Sequence, residues 1–285
     1  MIRLLPPGVQ GILAAGALLL SQAALADAVT LRTLNDVRIL LDRVNMDYQM
    51  FKGENANPRY GDLLEEDLDT LADAREEMVD AVQSEDVDTI ESDIDRYLVL
   101  LDDNYSALAS GGYEVNALVE EMMEKKTAAQ RAISALYSTT AETTDADPRV
   151  VEYQTMAFLM QQMAARYLEN AAAVYGVAFR DLSDERSIDQ LALDFSQRLA
   201  SLDLNAKDLP VEAKTQLTDV QRKWTFIEQS MMNFMENQVS FLVYRYSNTI
   251  VEDLQGAARS LSGDTGISAP TGGDIPLPPG IPAAE

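Results

Sequence analysis

The chain is 285 residues long, and 47% hydrophobic against 24% charged residues is enough apolar content for a packed core. It has no cysteine and no histidine, which excludes disulfides, thiolate metal sites, cysteine nucleophiles and histidine-based acid–base catalysis. Forty-seven acidic against 22 basic residues give a formal charge of −25, so nucleic-acid backbones and anionic lipid headgroups are repelled.

The N-terminus reads as a cleavable export segment. Arg3 supplies a positive end, Gly11 to Leu20 is a small, apolar run, and Ala24-Leu25-Ala26 has the small-x-small pattern of a signal-peptidase site. Cleavage is expected after Ala26, with the mature chain starting at Asp27; an uncleaved anchor is the alternative. The apolar run is shorter than the ~20 residues of a membrane span, and no later stretch is long and uncharged enough to form one. The location predicted is the periplasm, with no stable membrane span after cleavage.

Apolar residues then recur three and four apart, the spacing of one stripe on a helix. Leu34, Val37, Leu41, Val44, Tyr48 and Phe51 predict a first helix, ended by Gly53 and Asn57-Pro58. Leu64, Leu68, Leu71, Met78 and Val82 predict a second. A third runs through Val87, Ile90, Ile94, Tyr97, Leu101, Tyr105 and Leu108 and stops at Gly111-Gly112. The fourth carries Val115, Leu118, Met122, Ala129, Ile133 and Leu136, and is expected to dissolve in the polar stretch from Ser138 to Asp147, before Pro148. That stretch is the candidate boundary between modules.

The second half restarts with Tyr153, Met156, Met160, Met163, Tyr167 and Val174, ending near Gly176. A shorter helix through Ile188, Leu191, Phe195, Leu199 and Leu202 is expected, capped by Ser183 or Asp184. Pro210 suits a first helical turn. The stripe Leu217, Val220, Trp224, Ile227, Met231, Phe234 continues, shifted, through Phe241, Leu242, Tyr246, Ile250 and Leu254. No glycine or proline interrupts Val211 to Gln255, which predicts one very long helix or two joined by a slight kink. The Gly- and Pro-rich tail cannot hold a helix and is expected to be disordered.

The fold class expected is all-α: an antiparallel bundle of long helices with coiled-coil-like stripes, in two tandem modules. The boundaries are 1–26 signal peptide, 27–140 first module, 147–261 second module and 263–285 tail.

Two stretches align, Val37 to Tyr48 and Met156 to Tyr167, though with few identities. Both resemble the signature Arg-Met-Leu-Ser-Gln-Arg-Met-Ala-Lys-x-Tyr of the sensor domain at the N-terminus of type IV pilus methyl-accepting chemotaxis transducers and, in similar form, of nitrate sensor kinases. The first stretch carries Arg38, Leu40, Arg43 and Tyr48 at signature positions; the second carries Leu159, Gln161, Met163, Ala164 and Tyr167. Val239 to Ser247 also resembles the closing helix of such domains. The resemblance implies tandem helical sensor modules, here expected without transmembrane or output domains.

In the nitrate-sensing relatives the first signature arginine binds the anion at a helix interface. That position is Arg38 in the first half and Ala157 in the second; the second arginine is Arg43 and then Gln162. The resemblance thus offers Arg38, Arg43, Tyr48, Gln161 and Tyr167 as ligand-binding residues. Arg38 flanks the stripe Leu34, Val37, Leu41, Val44, where its forked guanidinium suits either a planar anion or an interhelical carboxylate.

Other features read as structure. Met156, Met160, Met163, Met231, Met232 and Met235 suit core or an adaptable groove, and Trp224 suits the core. The series Glu65, Glu66, Asp67, Asp69, Asp73 lacks the spacing of a calcium loop and reads as a solvated face. No metal or cofactor motif and no catalytic residue is identified. The function expected is a non-enzymatic periplasmic sensor-like protein that binds a small anion, an organic ligand or an envelope protein, with a homodimer left open. The alternative is a periplasmic helical scaffold for pili, transport or the envelope. A polar pocket inside the bundle favours the first; an unbroken apolar seam favours the second.

Overall fold

The computed structural model describes residues 7–82, 84–173, 186–234 and 239–262, with side chains from residue 28 onward. All regular structure among them is helical: α1 (Pro7–Gly53), α2 (Pro58–Ala81), α3 (Val87–Ala109), α4 (Asn116–Thr143), α5 (Pro148–Ala171), α6 (Ile188–Ser201), α7 (Val211–Met232) and α8 (Ser240–Ser262). None of these helices is long and apolar enough to cross a membrane.

Helix ends follow local chemistry. Asn57 caps α2 through Oδ1, which accepts from Arg59 N–H at 3.2 Å, and Asp147 caps α5 through Oδ1, which accepts from Arg149 N–H at 2.8 Å. Each cap is followed by a proline, whose missing N–H costs nothing in a first turn. Gly111, at φ +79°, takes the left-handed conformation that stops α3.

The fourth helix ends at Thr143, inside the polar stretch from Ser138 to Asp147 where it was expected to dissolve; up to that point Ser138 Oγ donates to Ser134 C=O and Thr143 Oγ1 to Thr139 C=O, both at 2.9 Å. Two local expectations are corrected. The cap of α6 is Ser187, whose N–H donates to Gln190 Oε1 at 3.0 Å; the caps expected, Ser183 or Asp184, lie outside the described residues. The segment from Val211 to Gln255 is two helices folded back on each other, neither one long helix nor a slight kink. Phe226 stacks on Tyr246 at 5.4 Å, while the earlier Lys223 meets the later Asp253 at 2.6 Å. A single helix would leave one of the two stripes without a partner. Val174, Gly176 and the predicted tail lie outside the described residues.

Within each half, consecutive helices run up and down. Arg43 meets Asp67 while the earlier Arg32 meets the later Glu77, which makes α1 and α2 antiparallel. Arg96–Glu121 with Asp93–Lys125 does the same for α3 and α4, and Asp42–Lys126 with Gln130 bonding Arg38 C=O for α1 and α4. In the second half, Tyr167–Val239 with Gln161–Asn248 sets α8 antiparallel to α5. The junction between halves is parallel: Arg38 reaches Gln154, and the later Asn45 reaches the later Glu169. These contacts pair helices antiparallel within the halves and parallel across them.

Two apolar cores result. One is built by α1 to α4, around Leu34, Leu41, Ile94, Met122 and Ile133. The other is built by α5 to α8, and includes Met156, Met160, Met163, Phe195, Trp224, Met231 and Leu254. Trp224 packs against Phe195 at 4.7 Å and donates through Nε1 to Ser196 Oγ at 3.0 Å. α1 belongs to both cores, since Leu34 and Leu41 enter the first and Ile39, Met46, Met50 and Phe51 the second. It is consequently enclosed on every side: all residues from Val37 to Phe51 are buried, polar ones included.

Candidate functional site

The enclosure of α1 takes its polar face out of water. Four buried bases, Arg38, Arg43, Lys126 and Arg166, are matched by four buried acids, Asp42, Asp47, Asp67 and Glu169. Such a set is expensive to desolvate and persists only where charges are paired and hydrogen-bonded.

Arg38 sits at the α1–α4–α5 junction. Its guanidinium carbon lies 3.7 Å from the ring centre of Tyr137 and 4.4 Å from that of Phe158. Nε and Nη2 donate to Asn35 Oδ1 at 3.2 and 2.8 Å. No carboxylate pairs with it among the described residues. Burial lowers its pKa to about 10, against the raising influence of Tyr137 and Asp36, so it stays charged at neutral pH. Cation–π contacts on both faces take the place of an ion pair.

One helical turn on, Lys126 Nζ lies 2.7 Å from Asp42 Oδ1, with both side chains fully buried. Glu169 Oε1 lies 3.9 Å from the same ammonium and accepts from Asn45 Nδ2 at 2.6 Å. Asn45 Oδ1 in turn accepts from Gln49 Nε2 at 3.3 Å. This chain ties α4, α1 and α5 together.

On the opposite side of α1, Arg43 Nε donates to Asp67 Oδ2 at 2.7 Å. Burial works against the Arg43 charge, but Asp67 and Asp47 hold its pKa above the ordinary value. Asp47 accepts from the Tyr244 hydroxyl. Burial first, and then the neighbouring Asp67, push the Asp47 carboxyl well above the usual carboxylate range. The two acids and one guanidinium thus form a compact cluster between α1, α2 and α8. Asp67 is the exception in an acidic series that is otherwise exposed at Glu65, Glu66, Asp69 and Asp73.

The remaining sequence-predicted residues are spread along the same two helices. The Tyr48 hydroxyl donates to Glu114, which also pairs with Lys52 at 2.6 Å; burial and Glu114 together raise the Tyr48 pKa. Gln161 Nε2 contacts Met46 Sδ at 3.0 Å and Asn248 Oδ1 at 3.4 Å. The Tyr167 hydroxyl accepts from Val239 N–H at 2.8 Å. Arg38, Arg43, Tyr48, Gln161 and Tyr167 all lie on the joined pair α1 and α5, but they do not converge on one pocket.

A cavity of about 610 Å³ opens where residues 28–36 of α1 pass the start of α5, between α1, α5, α8 and the α4–α5 connection. Its lining includes Leu31, Asn35, Asp36, Gln154, Val150 and Arg259. Asn35 and Gln154 link it to the seam, since Asn35 Oδ1 is taken by Arg38 and Gln154 Oε1 accepts from the Tyr137 hydroxyl at 2.9 Å. Sequence reasoning missed Asp36 and Arg259, which stand 223 positions apart in the chain and carry no shared motif.

Compared with known proteins, the chain matches no family model, no curated protein and no solved structure.

Proposed function

We propose that this chain is a non-enzymatic, periplasmic, sensor-like protein that binds a small ligand in the cavity between α1, the start of α5 and the end of α8 and passes the change to a partner protein. The observation that carries this reading is the buried, charge-balanced seam between α1 and the helices around it. A scaffold gains most stability from an apolar seam, because replacing buried ion pairs by packed hydrophobic residues is often neutral or stabilising. A seam of directional bonds fixes which helix faces which, and offers discrete alternative pairings when one helix shifts. The cavity opens onto that seam through Asn35 and Gln154, so an occupant bears directly on the α1–α5 joint. The resemblance of Val37 to Tyr48 and Met156 to Tyr167 to chemoreceptor and nitrate-sensor signatures supports the same class, and both stretches lie on the joined pair.

Arg38 serves in this reading as the brace behind the cavity, not as the ligand contact, since its faces and its forked edge are occupied by Tyr137, Phe158 and Asn35. The test is a melting-temperature screen of the full chain against small anions, organic acids and amino acids. A compound that raises the wild-type melting temperature supports ligand binding. Uniform absence of shifts removes it and leaves the scaffold reading, for which cross-linking in periplasmic extract identifies the neighbour.

A further inference from the structure

Two opposite charges without ion-pair partners face the same cavity. Asp36, on α1, accepts from Gln255 Nε2 at 3.0 Å, and no cation lies within salt-bridge reach of it among the described residues. Arg259, one turn further along α8, also has no carboxylate partner among them. The two sense each other's charge without touching. Other charges on the lining are engaged or outside: Arg32 pairs with Glu77, Asp147 holds Arg149 at 2.6 Å, and Asp145 is exposed.

The neutral part of the lining is also specific. Because Arg38 occupies Asn35 Oδ1 and Tyr137 occupies Gln154 Oε1, the amide N–H groups are the capacity these two residues have left. Leu31, Val150 and Ala258 supply an apolar wall beside them. The cavity therefore combines an unpaired cation, an unpaired acid, two amide donors and an apolar surface, in a volume that takes a molecule of about ten non-hydrogen atoms with room to spare.

We propose that this cavity binds a zwitterionic α-amino acid with an apolar side chain, its carboxylate on Arg259 and the two amides, its ammonium on Asp36. The proposal rests on the ligand-binding reading above and names its ligand class. A plain carboxylate would leave an ionised Asp36 without a cation, and a plain amine would leave Arg259 without an anion; a ligand of both signs satisfies both.

Asp36 also gives the binding a proton signature. Burial raises its carboxyl to about 7; Arg32, Arg259 and the Gln255 hydrogen bond pull it down and Glu77 pushes it up. The charged and polar groups around it are Arg32 and Arg38 on α1, Glu77 on α2, Arg259 and Gln255 on α8, and Asp145 and Asp147 in the α4–α5 connection. An ammonium at hydrogen-bond distance stabilises the carboxylate, so binding near neutral pH expels the proton.

The test is calorimetric titration of the full chain at pH 7 with L-leucine and L-valine, in phosphate and in Tris, beside isocaproate and isoamylamine, which are leucine without its amino group and without its carboxylate. The result expected is binding of at least one amino acid with an apparent enthalpy that differs between buffers, and an affinity on the order of tenfold or more above both truncated analogues. Asp36→Asn, which keeps the size of the side chain, is expected to abolish the buffer dependence and weaken binding, and Arg259→Gln to weaken it; circular dichroism confirms that both variants fold. Isocaproate binding as tightly as leucine, or binding unchanged in Asp36→Asn, overturns the zwitterion assignment while leaving a ligand site. No heat with either amino acid also overturns it, and the melting-temperature screen then decides separately whether the ligand-binding reading survives.

Discussion

Lys126 and Asp42 face each other at 2.7 Å with neither side chain reached by solvent, each the other's nearest opposite charge at the joint of α4 and α1. The pair is not the cheapest way to fill that space, but half of it is far worse than either the whole or none. Lys126→Met is expected to lose ~3–5 kcal/mol, because it strands Asp42 as a buried carboxylate. The double variant Lys126→Met/Asp42→Leu is expected to recover much of that loss, with Asn45 still holding Glu169. Urea denaturation of the wild type, both single variants and the double variant measures this directly. A Lys126→Met chain as stable as wild type would show that the pair is hydrated in solution.

The pH dependence of stability follows from Asp36. Its folded pKa of about 7 lies above the ordinary 3.8 of the unfolded chain, so the fold prefers the neutral carboxyl. The stabilising contribution is complete below about pH 4 and is lost as pH rises through 7. Wild type is therefore expected to lose melting temperature relative to Asp36→Asn between about pH 4 and pH 7 and to level off above it. Parallel melting curves for the two proteins would count against the burial of Asp36.

Gly61 on α2 lies under Tyr105, and a Cβ there would come within 2.6 Å of the Tyr105 hydroxyl and 3.5 Å of Cζ. The Tyr105 ring packs on Phe51 at 4.5 Å, so it has little freedom to retreat. Gly61→Ala is expected to destabilise the wild-type chain by ~1–3 kcal/mol through overpacking. In a Tyr105→Phe background the obstructing oxygen is gone, and the same change is expected to gain up to ~1 kcal/mol of helix propensity. A chemical-denaturation cycle of the four proteins reads the reversal of sign.

Because α1 contributes side chains to both cores, the halves are not expected to unfold one after the other. Trp224, the only tryptophan, reports the α6–α7 region of the second core through its contact with Phe195. Its fluorescence and the helical circular dichroism signal should change at the same urea concentration. Two separated transitions would mean that the α1–α5 joint is weaker than either core.

Much of the local structure was legible in the chain. Stripes such as Val87, Ile90, Ile94, Tyr97 and Leu101 announce α3, and Asn57-Pro58 and Asp147-Pro148 mark helix starts, because apolar period and capping chemistry act over a few residues. A further signal concerned the centre of the molecule. α2 carries nine acids against two bases, whereas Leu31 to Phe51 carries three of each. A charge-balanced stretch in so acidic a chain marks a helix whose polar face needs partners rather than water.

Sequence reasoning failed where the outcome depended on distant segments. The stripe from Val211 to Leu254 has no glycine or proline to break it, yet the chain folds back between Met232 and Ser240, because burying both apolar faces against each other and against α5 and α6 outweighs helix continuity. Asp67, read with its acidic neighbours as part of a solvated face, is buried against Arg43, since periodicity shows which residues share a side and not what stands opposite.

The amino-acid sequence by itself determined that this is a helical protein, where most of its helices begin and end, and that no histidine or cysteine chemistry operates in it, because each of these depends on composition or on neighbours within a turn. Only the tertiary structure decided that α1 and α5 run side by side, that Lys126 meets Asp42 and Arg43 meets Asp67 out of water, and that Asp36 and Arg259 face a common cavity. Those relations arise when helices far apart in the chain pack together, and the free energy that selects one packing is a property of whole surfaces rather than of any segment.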